Sequence, residues 1–77
     1  MLSFGLAEDG AAIQIYCDQH GMATLLKTFA RLVSDAGHIH LRGPAAGGNE
    51  LSETSPFGES AVGEVIIDYA PDYADRR

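Results

Sequence analysis

The sequence has no tryptophan, a single cysteine, three prolines and five cationic residues among 77. Each shortage removes a class of explanation. One cysteine, Cys17, cannot close a disulfide within the chain, so a small disulfide-stapled scaffold is excluded and a reducing cytoplasm is the simplest setting. Five Lys and Arg against eleven Asp and Glu give a formal charge of −6. That balance leaves no basic cluster to neutralise phosphates and argues against nucleic acid as a direct partner; a basic protein suits it better. No apolar run approaches the roughly 20 residues that cross a bilayer. The opening residues, Met-Leu-Ser-Phe-Gly-Leu-Ala, lack the basic start and apolar length of a secretory signal. The expectation is a cytoplasmic protein that does not bind membranes.

What is present is enough to fold. Hydrophobic residues make up 45% of the chain and charged ones 21%, far from the composition of disordered segments. A chain of this length makes one domain and buries only about 60% of its unfolded surface, which leaves stability marginal. Self-association or a tight partner is therefore expected.

Leu2, Phe4 and Leu6 alternate with Ser3 and Gly5, which suits a half-buried edge strand. Glu8-Asp9-Gly10 reads as a hairpin turn, because glycine adopts positive φ at no steric cost. A second strand over 12–17 puts Ile13, Ile15 and Cys17 on a core face and Gln14 and Tyr16 on the other. Asp18 suits the N-cap of a helix over 19–36, whose stripe of Met22, Leu25, Leu26, Phe29, Leu32, Val33 and Ala36 covers a sheet. Gly21 lowers the intrinsic helicity, and Gly37 supplies the left-handed residue that ends the helix.

His38 to Arg42 follows as a third strand with Ile39 and Leu41 inward. Gly43 to Gly58 is a long irregular connection, of the kind that often carries function. The run Val65-Ile66-Ile67 marks the last strand, over 61–69, as central. These elements predict an α+β fold of order β-β-α-β-β. They form one four-stranded, mainly antiparallel sheet of spatial order 1-2-4-3, with a helix packed on one face. A single domain spans 1–70 and a polar tail 71–77. The uncovered face would carry Gln14, Tyr16, His38, His40, Glu64 and Asp68.

The candidate chemistry is sparse. His38 and His40 sit two apart on a strand, so their rings share a face and could share one metal, with Glu64, Asp68 or His20 as a third ligand. The plainer alternative pairs the imidazoles with those carboxylates. Cys17 reads as a small buried apolar residue, since it shares parity with Ile13 and Ile15, and no activating base is placed to make it a nucleophile. The serines lack the context of a hydrolase nucleophile. Gly43-Pro44-Ala45-Ala46-Gly47-Gly48 is followed by no Gly-Lys-Ser/Thr and opens no helix, so it is no phosphate loop. No catalytic residue and no cofactor is assigned. Asn49-Glu50-Leu51-Ser52 reads either as a turn that tucks Leu51 into the core edge or as a contact surface. Glu50, Glu53 and Glu59 make this connection acidic.

Several runs carry a further resemblance: Ile-x-Ile-Tyr-x-Asp leading into the helix, then Gly-His-Ile-His-Leu, Gly-Gly-Asn-Glu-Leu-Ser and Val-Gly-Glu-Val-Ile-Ile-Asp. Over 13–69 they resemble the immunity protein 32 family of bacterial polymorphic toxin systems, with His38, His40, Gly48, Asn49 and Glu50 as the pattern positions. The resemblance implies a non-enzymatic protein that binds a cognate, basic toxin and blocks it. Together with the acidic loop and the exposed sheet face, which add Glu53, Glu64 and Asp68, it gives expected partner-binding residues at His38, His40, Asn49, Glu50, Glu53, Glu64 and Asp68. The alternatives are a metal-binding module or metal-dependent enzyme built on the His pair, and a structural homodimer.

Overall fold

A computed structural model describes residues 1–7, 9–35 and 37–73. Its elements follow as β1 (Leu2–Leu6), β2 (Ile13–Cys17), α1 (Gln19–Asp35), β3 (Gly37–Arg42) and β4 (Glu64–Tyr69). Two short 3-10 turns, Pro44–Ala46 and Gly58–Ser60, lie in the connection before β4. The α+β class and the order β-β-α-β-β agree with the sequence. No helix among the described residues is long and apolar enough to cross a membrane.

Local chemistry sets the boundaries where expected. Gly10 has φ +72° and donates to the Ala7 carbonyl at 2.8 Å, while Asp9 Oδ1 accepts from the Ala11 N–H at 2.9 Å. These bonds close the β1–β2 hairpin; Glu8 lies outside the described residues. Asp18 caps α1, its Oδ1 accepting from the Gly21 N–H at 2.9 Å. Gly37 takes φ +101°, the left-handed conformation that ends a helix. Ala36, expected to close the helix, and residues 74–77 of the expected tail lie outside the described residues.

The single four-stranded sheet of order 1-2-4-3 does not form. Two separate antiparallel pairs form instead, β1 with β2 and β3 with β4. The reason lies at the free edge of β1, which the β3–β4 connection occupies. Ser52 N–H donates to the Leu2 carbonyl at 2.8 Å and Val62 N–H to the Phe4 carbonyl at 2.8 Å. Leu2 N–H donates in return to Ser52 Oγ at 3.0 Å, and Gly5 and Ala61 form an isolated bridge. The expected strand over 61–69 is thus divided. Ala61 and Val62 latch onto β1, whereas from Gly63, whose carbonyl accepts from Gly43 N–H, the chain joins β3.

β1 is not the half-buried edge that its alternation implies. Leu2 to Gly5 are all buried. Leu2 and Phe4 join Leu25, Leu41 and Leu51 in the core, with Cys17, Ile39, Val65 and Ile67 packed against it. On the opposite face the Ser3 hydroxyl meets Ser55 Oγ at 2.6 Å, and Gly5 lies so close to Phe57 that a Cβ there would enter its ring. Small residues at 3 and 5 are what admit the connection over this face.

The apolar residues expected inside divide in two. α1 buries Gly21, Leu25, Thr28 and Leu32, but Met22, Leu26, Phe29 and Val33 are exposed, Leu26 at 63% and Val33 at 72%. Ile13 and Ile15, expected in the core, are 70% and 52% exposed. Their register opposite Leu6 and Phe4 keeps them on the helix side of the hairpin. α1 touches β1, β2 and β3 alike, but the residues it buries, Leu25 and Leu32 among them, leave the side chains of Ile13 and Ile15 largely uncovered.

Gly21 is buried, and a Cβ there would collide with the carbonyl of Met1 and crowd Cys17. Gly21→Ala raises helix propensity by about 1 kcal/mol, yet it is expected to lower stability by about 1–3 kcal/mol because backbone cannot yield as a side chain can. Leu51→Ala is expected to cost about 2–5 kcal/mol, since this loop residue is a core member. Urea unfolding of both variants checks these values, and a more stable Gly21→Ala protein would contradict the close approach.

Candidate binding surface

β3 alternates as its sequence implies. Ile39 and Leu41 turn to the core, and His38, His40 and Arg42 stand on the outer face. The register sets His38 opposite Asp68, His40 opposite Ile66 and Arg42 opposite Glu64, so four of the seven expected contact residues share one face: His38, His40, Glu64 and Asp68. No helix covers it. His38, Asp68 and Arg42 are exposed, as is Ile66 at 54%.

Glu64 organises this face. Its Oε2 accepts from Arg42 Nε at 2.7 Å and lies 2.6 Å from His40 Nδ1, which therefore carries the proton it donates. Arg42 Nη2 lies 3.3 Å from the same imidazole nitrogen. The bond from Arg42, and then the one from His40, holds the Glu64 carboxyl below the usual carboxylate range. The rings of His38 and His40 meet edge to face, 5.1 Å between centroids. A shared cation would need a third ligand. Asp68 is opposite His38 in register, Glu64 touches His40 but is already bonded to a guanidinium, and no group of three His, Cys, Asp or Glu able to hold a metal occurs among the described residues.

The Asn49-Glu50-Leu51-Ser52 corner joins this face through Arg42. Glu50 and Leu51 N–H groups both donate to the Arg42 carbonyl at 3.1 Å. Glu50 Oε1 accepts from the Arg42 N–H and its Oε2 from the Asn49 N–H. Those two amide bonds, Arg42 first, lower the Glu50 carboxyl. The carboxylate is thus a clamp on its own loop, while Asn49 is exposed beside it. Gly48 fits only because it has no Cβ, which would meet Arg42. Glu53 is exposed but lies elsewhere, in a cleft of about 440 Å³ with Ser3, Pro44 and Val62. His20 is also apart from the His pair, lining a cleft with Thr24, Asn49 and Glu50.

Two members of the face escaped the sequence reading. Arg42 continues the parity of His38 and His40, so alternation alone places it there. Ile66 was masked by its apolar neighbours. The chain matches none of the family models, curated proteins or solved structures compared with it.

Because the folded Glu64 titrates below its unfolded value, the stability it contributes is complete above the ordinary carboxylate range and is lost as pH falls through the lowered value. Carboxyl NMR titration is expected to show Glu64 moving up toward that range in Arg42→Gln. The stability difference between the native chain and Glu64→Gln should vanish in acid; an unmoved Glu64 in Arg42→Gln would contradict the pairing.

Proposed function

We propose that the chain is a non-enzymatic binding protein that acts through the uncovered outer face of the β3–β4 hairpin. On the sequence resemblance, it neutralises a cognate bacterial toxin in the cytoplasm by direct occlusion. The observation that carries the binding role is the face itself: His38, His40, Arg42, Glu64, Ile66 and Asp68 stand together in strand register, four of them exposed, with Pro71 and Asp72 flanking the His38–Asp68 end in a shared cleft. Mixed charge around an exposed isoleucine is the composition of a contact surface, apolar anchor with a polar rim. The net charge of −6 favours a basic partner and speeds its encounter.

Glu64 and Glu50 are engaged within the fold, so Asp68, exposed and opposite His38, is the acid of this face free to meet a cation. Asn49 lies apart from this face, in the cleft it shares with His20 and Thr24. Glu53 belongs to the second, separate cleft and extends the acidic surface to another side of the molecule.

Co-expression with the product of the neighbouring toxin gene tests this reading. A stable complex and survival of the cells are expected, and Asp68→Lys should weaken the complex by about tenfold or more, since like charges across an interface repel. Failure of the native chain either to bind or to protect refutes toxin neutralisation.

A further inference from the structure

The largest exposed apolar feature lies on the other hairpin, away from the face just described. β2 reads Ile-Gln-Ile-Tyr-Cys and contains no charge and no proline, the devices that normally keep a sheet edge from pairing. By contrast, β3 and β4 carry His38, His40, Arg42, Glu64 and Asp68. Among the described residues β2 pairs only with β1.

The hydrogen-bond phase shows which groups its free edge presents. Ala7 N–H donates to the Ala12 carbonyl and Asp18 N–H to the Met1 carbonyl, so these are hydrogen-bonded pairs of the ladder. Alternation between them makes Gly5/Gln14 and Ser3/Tyr16 bonded pairs as well. The remaining residues, Ile13, Ile15 and Cys17, direct their backbone N–H and C=O away from β1. They also carry side chains on the helix side of the hairpin. Next to them in sequence, α1 exposes Met22, Leu26, Phe29 and Val33. Its opposite flank, Thr24, Lys27 and Arg31, lines a cleft with Glu50, so by helical spacing the apolar flank is turned toward β2.

From this geometry we infer that the protein is a two-fold homodimer in which β2 pairs antiparallel with β2 of a second copy, centred on Ile15. In that register Ile15 opposes Ile15 and Ile13 opposes Cys17, so all three outward-facing residues of each copy form bonded pairs. Gln14 opposes Tyr16 on the other side. A dyad through such a pair stands normal to the sheet and places both helices on the same side. Their uncharged flanks then close over the four exposed isoleucines.

The uncovered side chains fit this occupant: Ile13, Ile15, Met22, Leu26, Phe29 and Val33 are each about half exposed or more, and a second copy would cover them with the same apolar residues of its own. The dimer does not rest on toxin binding, because the two surfaces lie on different hairpins.

Light scattering of the native chain is expected to give twice 8.2 kDa; a mass of one chain at every concentration overturns the inference. Ile15→Lys, at an exposed position, should give one-chain mass with an unchanged helical circular dichroism spectrum. Opposed residues of a bonded pair lie about 5.5 Å apart at Cα, within disulfide reach. In a Cys17→Ser background, Ile15→Cys should therefore oxidise to a covalent dimer while Ile66→Cys stays monomeric. No covalent dimer from Ile15→Cys, or equal trapping at both positions, rules out pairing through β2. Loss of toxin binding with the dimer intact would instead strike only the functional reading.

Discussion

The constraint on which the rest depends is the enclosure of β1. Its helix-side residues Leu2 and Phe4 reach the core, its other face is closed by Ser55 and Phe57, and both its edges are hydrogen-bonded. In so small a chain a strand buried on every side is where most of the cooperative structure must lie. The connection from 43 to 63 is therefore structural over much of its length. Its Leu51 is a core residue and its Ser52, Ala61 and Val62 substitute for a neighbouring strand.

That enclosure also explains what was legible in the sequence and what was not. Period and punctuation located the first three strands and the helix and the core of the last strand, because alternation, Asp-Gly, the Asp18 cap and Gly37 act over a few residues; the two 3-10 turns and the split at 61–63 left no such mark. Parity placed His38, His40, Glu64 and Asp68 on one face. The sheet order was not legible. Placing the last strand beside the second assumed that the most apolar run takes the central position, whereas the centre went to the strand with the smallest outward residues. Ser3 and Gly5 look like a solvent-facing alternation and are in fact room for Phe57 and Ser55. The helix stripe misled for a related reason: Met22, Leu26, Phe29 and Val33 have the spacing of a core face, and spacing does not reveal whether enough sheet lies beneath.

Charge behaves in a similarly local way. Of the acids singled out around the third and fourth strands, Glu50 is held by two backbone amides and Glu64 by Arg42 and His40. Their charges fix the end of β3 to its loop and partner strand, and they contribute less to the outside field than their number implies. A net charge steers encounter through the exposed carboxylates that remain, such as Asp68 and Glu53.

The two hairpins are consequently unlike. β3–β4 carries on its outer face a bonded cluster of His40, Arg42 and Glu64 beside the exposed His38, Ile66 and Asp68, so whatever meets the cluster competes with those bonds and gains specificity more than raw affinity. β1–β2 presents the free edge of β2 and aliphatic side chains: the side chains leave water without a polar loss, and the edge N–H and C=O groups do so only when a second strand replaces their hydrogen bonds. In a domain whose core holds few large side chains, covering the second surface adds the apolar burial that the fold by itself lacks. Association through β2 would thus add to the stability of the β1–β2 ladder, while the outer face of β3–β4 stands on a separate strand pair.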